Sequence, residues 1–392
     1  ADECLGEEVA AKKGRQPFRD VYFTGMVRDN KRRKMSKSLG NSPDALSLIE
    51  NYGADGVRFG MLSSGSAGND IIFDAPFDQA TKAVLNESKL CEQGRNFCNK
   101  MWNALRLIKG WETAEISQPL ANRLAAKWLE EKWNKILAEV EANFASYRLS
   151  DVLLSLYQFI WDDFCSWYLE IIKPAQNEPL DQATYDATIG FFEKMIVALH
   201  PFMPFVTEEI WHQLRLREAG EDCIVSSYPT GSSFDNAFIQ QVERAKDVIT
   251  KIRETRQNKG ISQREPLRLF VEKTDNAEAL FDTEGLEEML LKMGSLSEIE
   301  LTKDEPANAV NFISGTEKYY LEMEVEIDRE AERDRLTKEL EYFQGFVQSV
   351  MKKLDNERFV SGAPAQVVEG ERKKLADGQE KIRLLEESLA KM

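Results

Sequence analysis

Between residues 336 and 392 apolar side chains recur every three or four positions: Leu336, Leu340, Phe343, Val347, Val350 and Leu354, then Leu375, Gly378, Ile382, Leu385, Leu389 and Met392. A repeat averaging 3.5 residues puts one apolar seam along a helix and asks for a second helix to cover it. The stretch NERFVSGAPAQ interrupts the repeat, so the second half is expected to fold back on the first as an antiparallel hairpin turning at SGAP. That turn sets Phe343 against Gly378 and Val347 against Leu375, so that a large residue meets a small one across the seam.

Helical spacing also governs residues 77 to 216. Leu85, Cys91, Cys98, Met101, Trp102, Leu105 and Ile108 repeat near three, four and seven, as do NRLAAKWLEEKWNKILAEVEANF and LSDVLLSLYQFIWDDFCSWYLEIIK. Pro174 ends the last of these, and FFEKMIVALHPFMPFVTEEIWHQL supplies two more helices, broken at Pro201 and Pro204 and restarted with Thr207 as N-cap. A bundle of several helices follows. The polar segment SSYPTGSSFD then reads as a linker. Beyond it, one helix carries Phe238, Val242, Ala245, Ile249 and Ile252, and the alternating runs PLRLFVE, SEIELT and YYLEMEVEI read as strands. In the last run Tyr319, Leu321, Met323, Val325 and Ile327 share a face, and the whole is a small α/β domain.

Near the start, DVYFTG (Asp20 to Gly25) has the β-branched and aromatic content of a strand. After a basic loop, Ser42 as N-cap, Pro43 at the first helical position and Asp44 in the first turn open a helix that Gly53 closes. The predicted organisation is mainly α, with units at 1–76, 77–232, 233–326 and 327–392.

Charge must be read by segment. The chain carries a formal net charge of -16, which disfavours a nonspecific nucleic-acid coat but leaves room for local basic surfaces. No apolar run is long enough for a bilayer and no export signal is visible, so a cytoplasmic protein is expected. Five cysteines without CxxC spacing argue against a disulfide framework or zinc site. His200 and His212 have no partner at ligand spacing and are read as packing residues, so no metal site is expected.

The exception to the acidic balance is KRRKMSKSLGNSPD, residues 31 to 44. Two lysines separated by Met-Ser, each followed by a small hydroxyl residue, make a flexible arm able to bring ammonium groups onto a triphosphate. Lys34-Met35-Ser36-Lys37-Ser38 matches the KMSKS signature of class I aminoacyl-tRNA synthetases. The surrounding DVYFTGMVRD, YGADGVRFGMLSS and AGNDIIFD resemble the valyl-tRNA synthetase family. EQGRNFCNKMWNALR and ALHPFMPFVTEEIW are similar to its helical anticodon-binding bundle, and the terminal hairpin resembles its tRNA-binding coiled coil.

The resemblance implies roles. Lys37, assisted by Lys34, would stabilise charge developing on pyrophosphate as valyl-adenylate forms, since mobile cations that arrive with that charge favour the transition state. Ser36, Ser38 and Asn41 would add contacts to ATP, which acts with Mg2+ in the full-length enzyme, while Asp55 and Arg58 would be structural. The family's HIGH-like motif is absent from these 392 residues, as is a complete nucleotide-binding sheet. The resemblance therefore covers a C-terminal half: a tRNA(Val) and anticodon binder that meets ATP and valine through the missing catalytic half. Alone it is expected to be a monomer, off the membrane and unable to aminoacylate.

Three basic clusters are candidate tRNA contacts. Arg95 and Lys100 lie on one helix with Phe97, a candidate for stacking on an anticodon base; Lys89, Arg106 and Lys109 extend that face. Arg253 and Arg256, with Lys259 and Arg264, form a second cluster. Lys352, Lys353, Arg372 and Lys373, with Arg358 and Lys374, form a third near the hairpin tip. Two other readings fit the residues: a noncatalytic coiled-coil interaction module, and the same enzyme class with isoleucine specificity.

Overall fold

The computed structural model describes residues 21–65, 68–323 and 329–391. Asp20, Val325, Ile327 and Met392, all used above, lie outside them, as does Cys4, one of the five cysteines. The chain divides into two units, residues 1–117 with 129–234, and residues 118–128 with 235–392.

In the first unit residues 21–26 form no strand, and Phe23 is 79 % exposed. Strand propensity alone does not make a strand; a paired neighbour does. Among the described residues pairing begins at β1 (Val27–Arg28), which runs parallel to β2 (Ile71–Ile72). The basic loop follows β1, then α1 (Ala45–Tyr52) and α2 (Ala54–Ser64). The N-cap of α1 is Asp44 rather than Ser42: its carboxylate accepts from the Ser47 N–H, as the longer acidic side chain reaches the open first turn. Gly53 ends α1 with φ 75°, a conformation glycine adopts without strain.

The helical bundle begins at α3 (Lys89–Lys109), capped by Ser88. A parallel pair, β3 (Thr113–Ala114) and β4 (Leu180–Asp181), brackets α4 (Leu120–Ala145), α5 (Leu149–Gln158) and α6 (Leu169–Ile172). Between α5 and α6 the predicted continuous helix widens into a π-helix over Phe159–Tyr168. Phe159, Ile160, Phe164 and Tyr168 are all buried there, so the wider turn brings bulky residues inward that a 3.6-residue period would spread around the helix. Helices α7 (Gln182–Leu199) and α8 (Pro204–Leu214) complete the bundle. Pro204 occupies the first turn of α8, as proline's missing N–H allows.

Thr207 is not the cap. It is buried one turn inside α8, its hydroxyl donating to the Met203 carbonyl. The cap comes from Asp55 on α2, whose carboxylate accepts the N–H groups of Phe205 and Val206. Arg58, one turn along α2, donates to the carbonyls of Phe202 and Pro201 at 2.9 and 3.0 Å. The two side chains expected to be structural thus secure the Pro201–Pro204 corner. Close approach of α2 to α3 depends on small residues: a Cβ on Gly94 would lie 2.7 Å from the Gly56 carbonyl oxygen.

In the second unit α9 (Asn236–Asn258), capped by Asp235, buries Phe238, Val242, Ala245, Ile249 and Ile252 as its period predicts. The sheet has the order β6-β5-β8-β7. Strand β5 (Leu267–Glu272) runs parallel to β6 (Leu296–Thr302), and α10 (Asp275–Phe281) and α11 (Leu286–Gly294) form their crossover. Strand β7 (Ala309–Ser314), unanticipated because AVNFIS is short and mixed, forms a hairpin with β8 (Glu317–Glu322) through Gly315 at φ 61°. Tyr319, Tyr320 and Leu321 are all buried, so β8 is covered on both faces, not only on the alternating one.

Helix α12 (Arg329–Leu354), the short α13 (Glu357–Gly362) and α14 (Ala365–Lys391) form the terminal hairpin. Its register differs from the expected one. A Cβ on Gly378 would meet Val347 Cγ2 at 2.8 Å, so the small residue faces Val347, one turn along from Phe343. Phe343 instead packs with Leu336, Leu384, Leu385 and Ile313 of β7. The sheet supplies that end of the seam with an extra layer, which a helix-only argument omits.

Candidate functional site

Asp29 governs the backbone of the basic loop. It is 1 % exposed, and its carboxylate accepts the N–H groups of Lys31 and Arg33, the Arg33 Nε–H and the Asn41 amide. Burial alone would raise its pKa. The hydrogen bonds from Asn41, Arg33 and Lys31 outweigh that and hold it well below the usual carboxylate range. Asn41, equally buried, closes the other end: its amide donates to the Lys34 carbonyl at 3.1 Å and its carbonyl accepts the Ser36 N–H at 2.9 Å.

Between these two anchors Met35 packs against the cluster of Leu48, Phe73, Ala75 and Cys91. Ser36 caps a 3-10 turn over Lys37–Leu39 by accepting the Leu39 N–H, and Gly40 closes it at φ 59°. The outcome is a pinned backbone with its lysines outward. Lys34 and Lys37 are exposed, and among the described residues no salt bridge engages either. Lys37 does lie close enough to Asp44 to help keep that capping carboxylate ionised, after the larger effect of the Ser47 hydrogen bonds. Ser38 is exposed with its hydroxyl 3.1 Å from that of Ser36. Such a loop can present two ammonium groups and two hydroxyls to a polyanion at little ordering cost.

The candidate tRNA contacts separate sharply. Phe97 is fully buried, with ring centroids 4.9 Å from Tyr157 and 5.9 Å from Phe59. It is a core residue and leaves the set of base-stacking candidates. Arg256 leaves it too: it is fully buried and donates to the carbonyls of Ser262, Glu265, Gly294 and Ser295 at 2.8 to 3.0 Å. A guanidinium fork collecting carbonyls from two loops is a structural brace, and sequence alone does not separate it from a surface arginine. Arg95 is half-buried, over the Tyr52 ring and bonded to the Asn51 carbonyl and Glu92. Lys100 lies over Trp161, its charge 5.3 Å from the ring centroid. Arg253 is exposed while donating to the Met293 carbonyl.

Near the hairpin tip Lys352, Lys353, Arg372 and Lys373 are all exposed. Lys353 pairs with Glu371, which also holds Lys374, and Arg372 lies 3.9 Å from Glu369. The Arg372–Glu369 pair is a surface pair of small energetic weight, whereas Glu371 is buried and anchors Lys353 and Lys374 at its edge. The four cysteines within the described residues, Cys91, Cys98, Cys165 and Cys223, are free thiols. Burial pushes those of Cys98, Cys165 and Cys223 up to about 12, which keeps them protonated and unreactive.

His212 is not a packing residue. Its side chain is 41 % exposed, with Nε2 3.3 Å from Glu208 and 3.1 Å from Asp222. The signal missed in the sequence was the i,i+4 spacing from Glu208 to His212 on α8, which puts both on one helix face. His200, in contrast, is buried as expected.

Comparison with known proteins agrees with this layout. Residues 8–74 match the family of class I tRNA synthetases for isoleucine, leucine, methionine and valine, residues 126–271 the anticodon-binding domain of tRNA ligases, and residues 328–392 the valyl-tRNA synthetase tRNA-binding arm. The chain is 46 % identical over 379 residues to a valine–tRNA ligase of Parabacteroides distasonis and 47 % identical over 378 residues to that of Phocaeicola vulgatus. In both cases 96 % of this chain and 41 % of the relative are covered. A more distant valine–tRNA ligase, of Fusobacterium nucleatum, is 33 % identical over 388 residues, covering 95 % of this chain and 42 % of the relative. The chain thus spans about two fifths of the length of the curated relatives it matches. By these matches it is similar to the part of the class I valyl-tRNA synthetases that runs from the KMSKS loop through the anticodon-binding domain to the tRNA-binding arm.

Proposed function

We propose that this chain supplies the tRNA(Val)-holding and anticodon-reading part of a valine–tRNA ligase, and that Lys34 and Lys37 act in ATP-dependent valyl-adenylate formation when joined to a catalytic half bearing the HIGH motif. The observation that carries the reading is the loop held by Asp29 and Asn41, with both signature lysines exposed and neither in a salt bridge among the described residues. In that setting Lys37, assisted by Lys34, stabilises negative charge on departing pyrophosphate, and the hydroxyls of half-buried Ser36 and exposed Ser38 supply additional donors. Mg2+ accompanies ATP in the complete enzyme, on ligands outside this chain. Alone, the 392 residues bind tRNA as a cytoplasmic monomer and do not aminoacylate.

Recognition of tRNA rests on Lys352, Lys353, Arg372 and Lys373 at the hairpin and, with less free charge, on Arg95, Lys100 and Arg253. Separated basic points on a chain of net charge -16 fix register on a long anion while weakening nonspecific contact. The test is binding to a valine tRNA transcript and to the same transcript with an altered anticodon, each over a salt series. Tighter binding to the intact anticodon supports the reading. Equal binding to both overturns it.

A further inference from the structure

Two carboxylates and an imidazole converge at the end of α8. Glu208 and His212 project from one face of the helix, and Asp222 comes from the segment that follows. His212 Nε2 lies 3.3 Å from Glu208 Oε1 and 3.1 Å from Asp222 Oδ1, and the three atoms all fall within 4.8 Å of one another. Ligands about 2.0–2.1 Å from a tetrahedral zinc ion are separated by about 3.3 Å along each edge, so the two short distances already have the spacing of a first coordination shell.

The surrounding bonds hold these groups in place. Asp222 precedes the 3-10 turn Cys223–Val225, yet its side chain makes no capping hydrogen bond to it. Glu208 does so instead, accepting the Cys223 and Ile224 N–H groups at 2.7 and 3.3 Å. That leaves Asp222 hydrogen-bonded to His212 and holds both Glu208 oxygens, Oε1 by the Cys223 N–H and Oε2 by the Ile224 N–H, as outer-shell donors hold metal ligands. The connecting segment is itself pinned. The Trp211 indole donates to the Glu221 carbonyl, and Arg217 stacks on Trp211 and pairs with Glu193.

A second observation comes from His200. It is 9 % exposed, and its Nε2 has no hydrogen-bond partner. Because the Thr207 hydroxyl donates to the Met203 carbonyl, it must accept from His200 Nδ1, 2.8 Å away. In the neutral ring, Nε2 is then a buried lone pair, 3.9 Å from Glu208 Oε2 and beyond hydrogen-bond reach. His212 Nε2 thus has two carboxylates within 3.3 Å, of which a neutral ring can donate to only one, and the buried His200 lone pair lies against the other oxygen of Glu208; a bound cation satisfies this excess of acceptors.

We propose that Glu208, His212 and Asp222 bind one divalent ion of the zinc class, joining α8 to the Cys223–Val225 turn. One imidazole with two carboxylates favours zinc or cobalt over magnesium. Three protein ligands leave a fourth position for water.

The test uses the full 392-residue chain, freed of metal with a chelator and titrated with zinc chloride, cobalt chloride and, as a control, magnesium chloride. Calorimetry is expected to show one saturable zinc equivalent, and cobalt a visible d–d band of low coordination number, with no response to magnesium. His212→Ala and Asp222→Asn, both at partly exposed positions, are each expected to weaken zinc binding by about tenfold or more while leaving the metal-free melting temperature unchanged. Zinc should raise the melting temperature of the parent chain but of neither variant. Absence of a saturable equivalent overturns the proposal, as does unchanged affinity in both variants, which would assign the ion to other surface groups.

Discussion

Asp55 and Val206 stand 151 positions apart in the chain, and the carboxylate of the first accepts the N–H of the second at 2.5 Å. One acidic side chain thereby serves as the missing N-cap of α8 and ties the helix after the KMSKS loop to the Pro201–Pro204 corner. Replacing Asp55 with Ala leaves the Phe205 and Val206 N–H groups without that acceptor, at a cost of about 1–3 kcal/mol in unfolding free energy. Asp55→Asn, which keeps one acceptor, should cost less. Burial raises the Asp55 pKa above its ordinary value, and the Val206, Phe205, Arg58 and His200 interactions only partly offset this. A raised carboxyl pKa means that the folded state binds more protons, so its contribution is greatest below the unfolded value and is lost as pH rises through the folded one. Urea melts of the parent and Asp55→Asn chains between pH 3 and pH 7 should therefore converge toward neutral pH relative to their acid-end difference.

The KMSKS loop should lose its shape without Asp29. Asp29→Ala removes the acceptor for Lys31, Arg33 and Asn41 at once, so amide exchange at residues 31–41 should accelerate while the bundle helices stay protected. Asn41→Ala should produce the same pattern from the other end. Because the Asp29 pKa is depressed in the folded state, its contribution is present above the ordinary carboxyl range and lost as pH falls below it. Protection of the loop at low pH should decline accordingly. Exchange that stays slow in both variants would show that the packing of Met35 alone holds the loop.

Arg256 offers a contrast between charge and role. Arg256→Ala leaves four carbonyl groups without their buried donor, and the loss should exceed about 3 kcal/mol. Arg256→Lys should also be strongly destabilising, since one ammonium cannot span acceptors from two loops as a planar fork does. Affinity for tRNA per folded molecule should be unchanged. A variant of ordinary stability with weakened tRNA binding would return Arg256 to the interface.

Phe97→Ala and Lys352→Ala should fail in opposite assays. The first empties a fully buried aromatic site and should cost about 3–5 kcal/mol, with no selective effect on an altered anticodon. The second should leave stability unchanged but reduce tRNA affinity and lower the salt slope by about one. Lys373→Ala should behave like Lys352→Ala.

The hairpin register can be read by crosslinking. A cysteine pair at Val347 and Gly378 should bridge under mild oxidation, because a Cβ at 378 already meets the Val347 side chain. A pair at Phe343 and Gly378 should not. Peptide mapping of the crosslinked chain separates the two outcomes and distinguishes the new bridge from any that involves a native thiol.

Periodicity and short words in the sequence were enough to locate the long helices, the small α/β unit, the terminal hairpin and the KMSKS loop, because those signals are local. A 3.6- or 3.5-residue repeat says which side chains share a face, and a capping residue acts within one turn of itself. Neither says what the face will meet. That Phe97 lies in the core, that Arg256 braces two loops, that Val347 rather than Phe343 faces Gly378 and that Asp55 caps a helix beginning 149 positions after it were settled only by tertiary structure. Buried polar and aromatic groups must find partners, and those partners come from anywhere in the chain. For the same reason the sequence presented His212 as a lone histidine, and only the fold brought Asp222 to it.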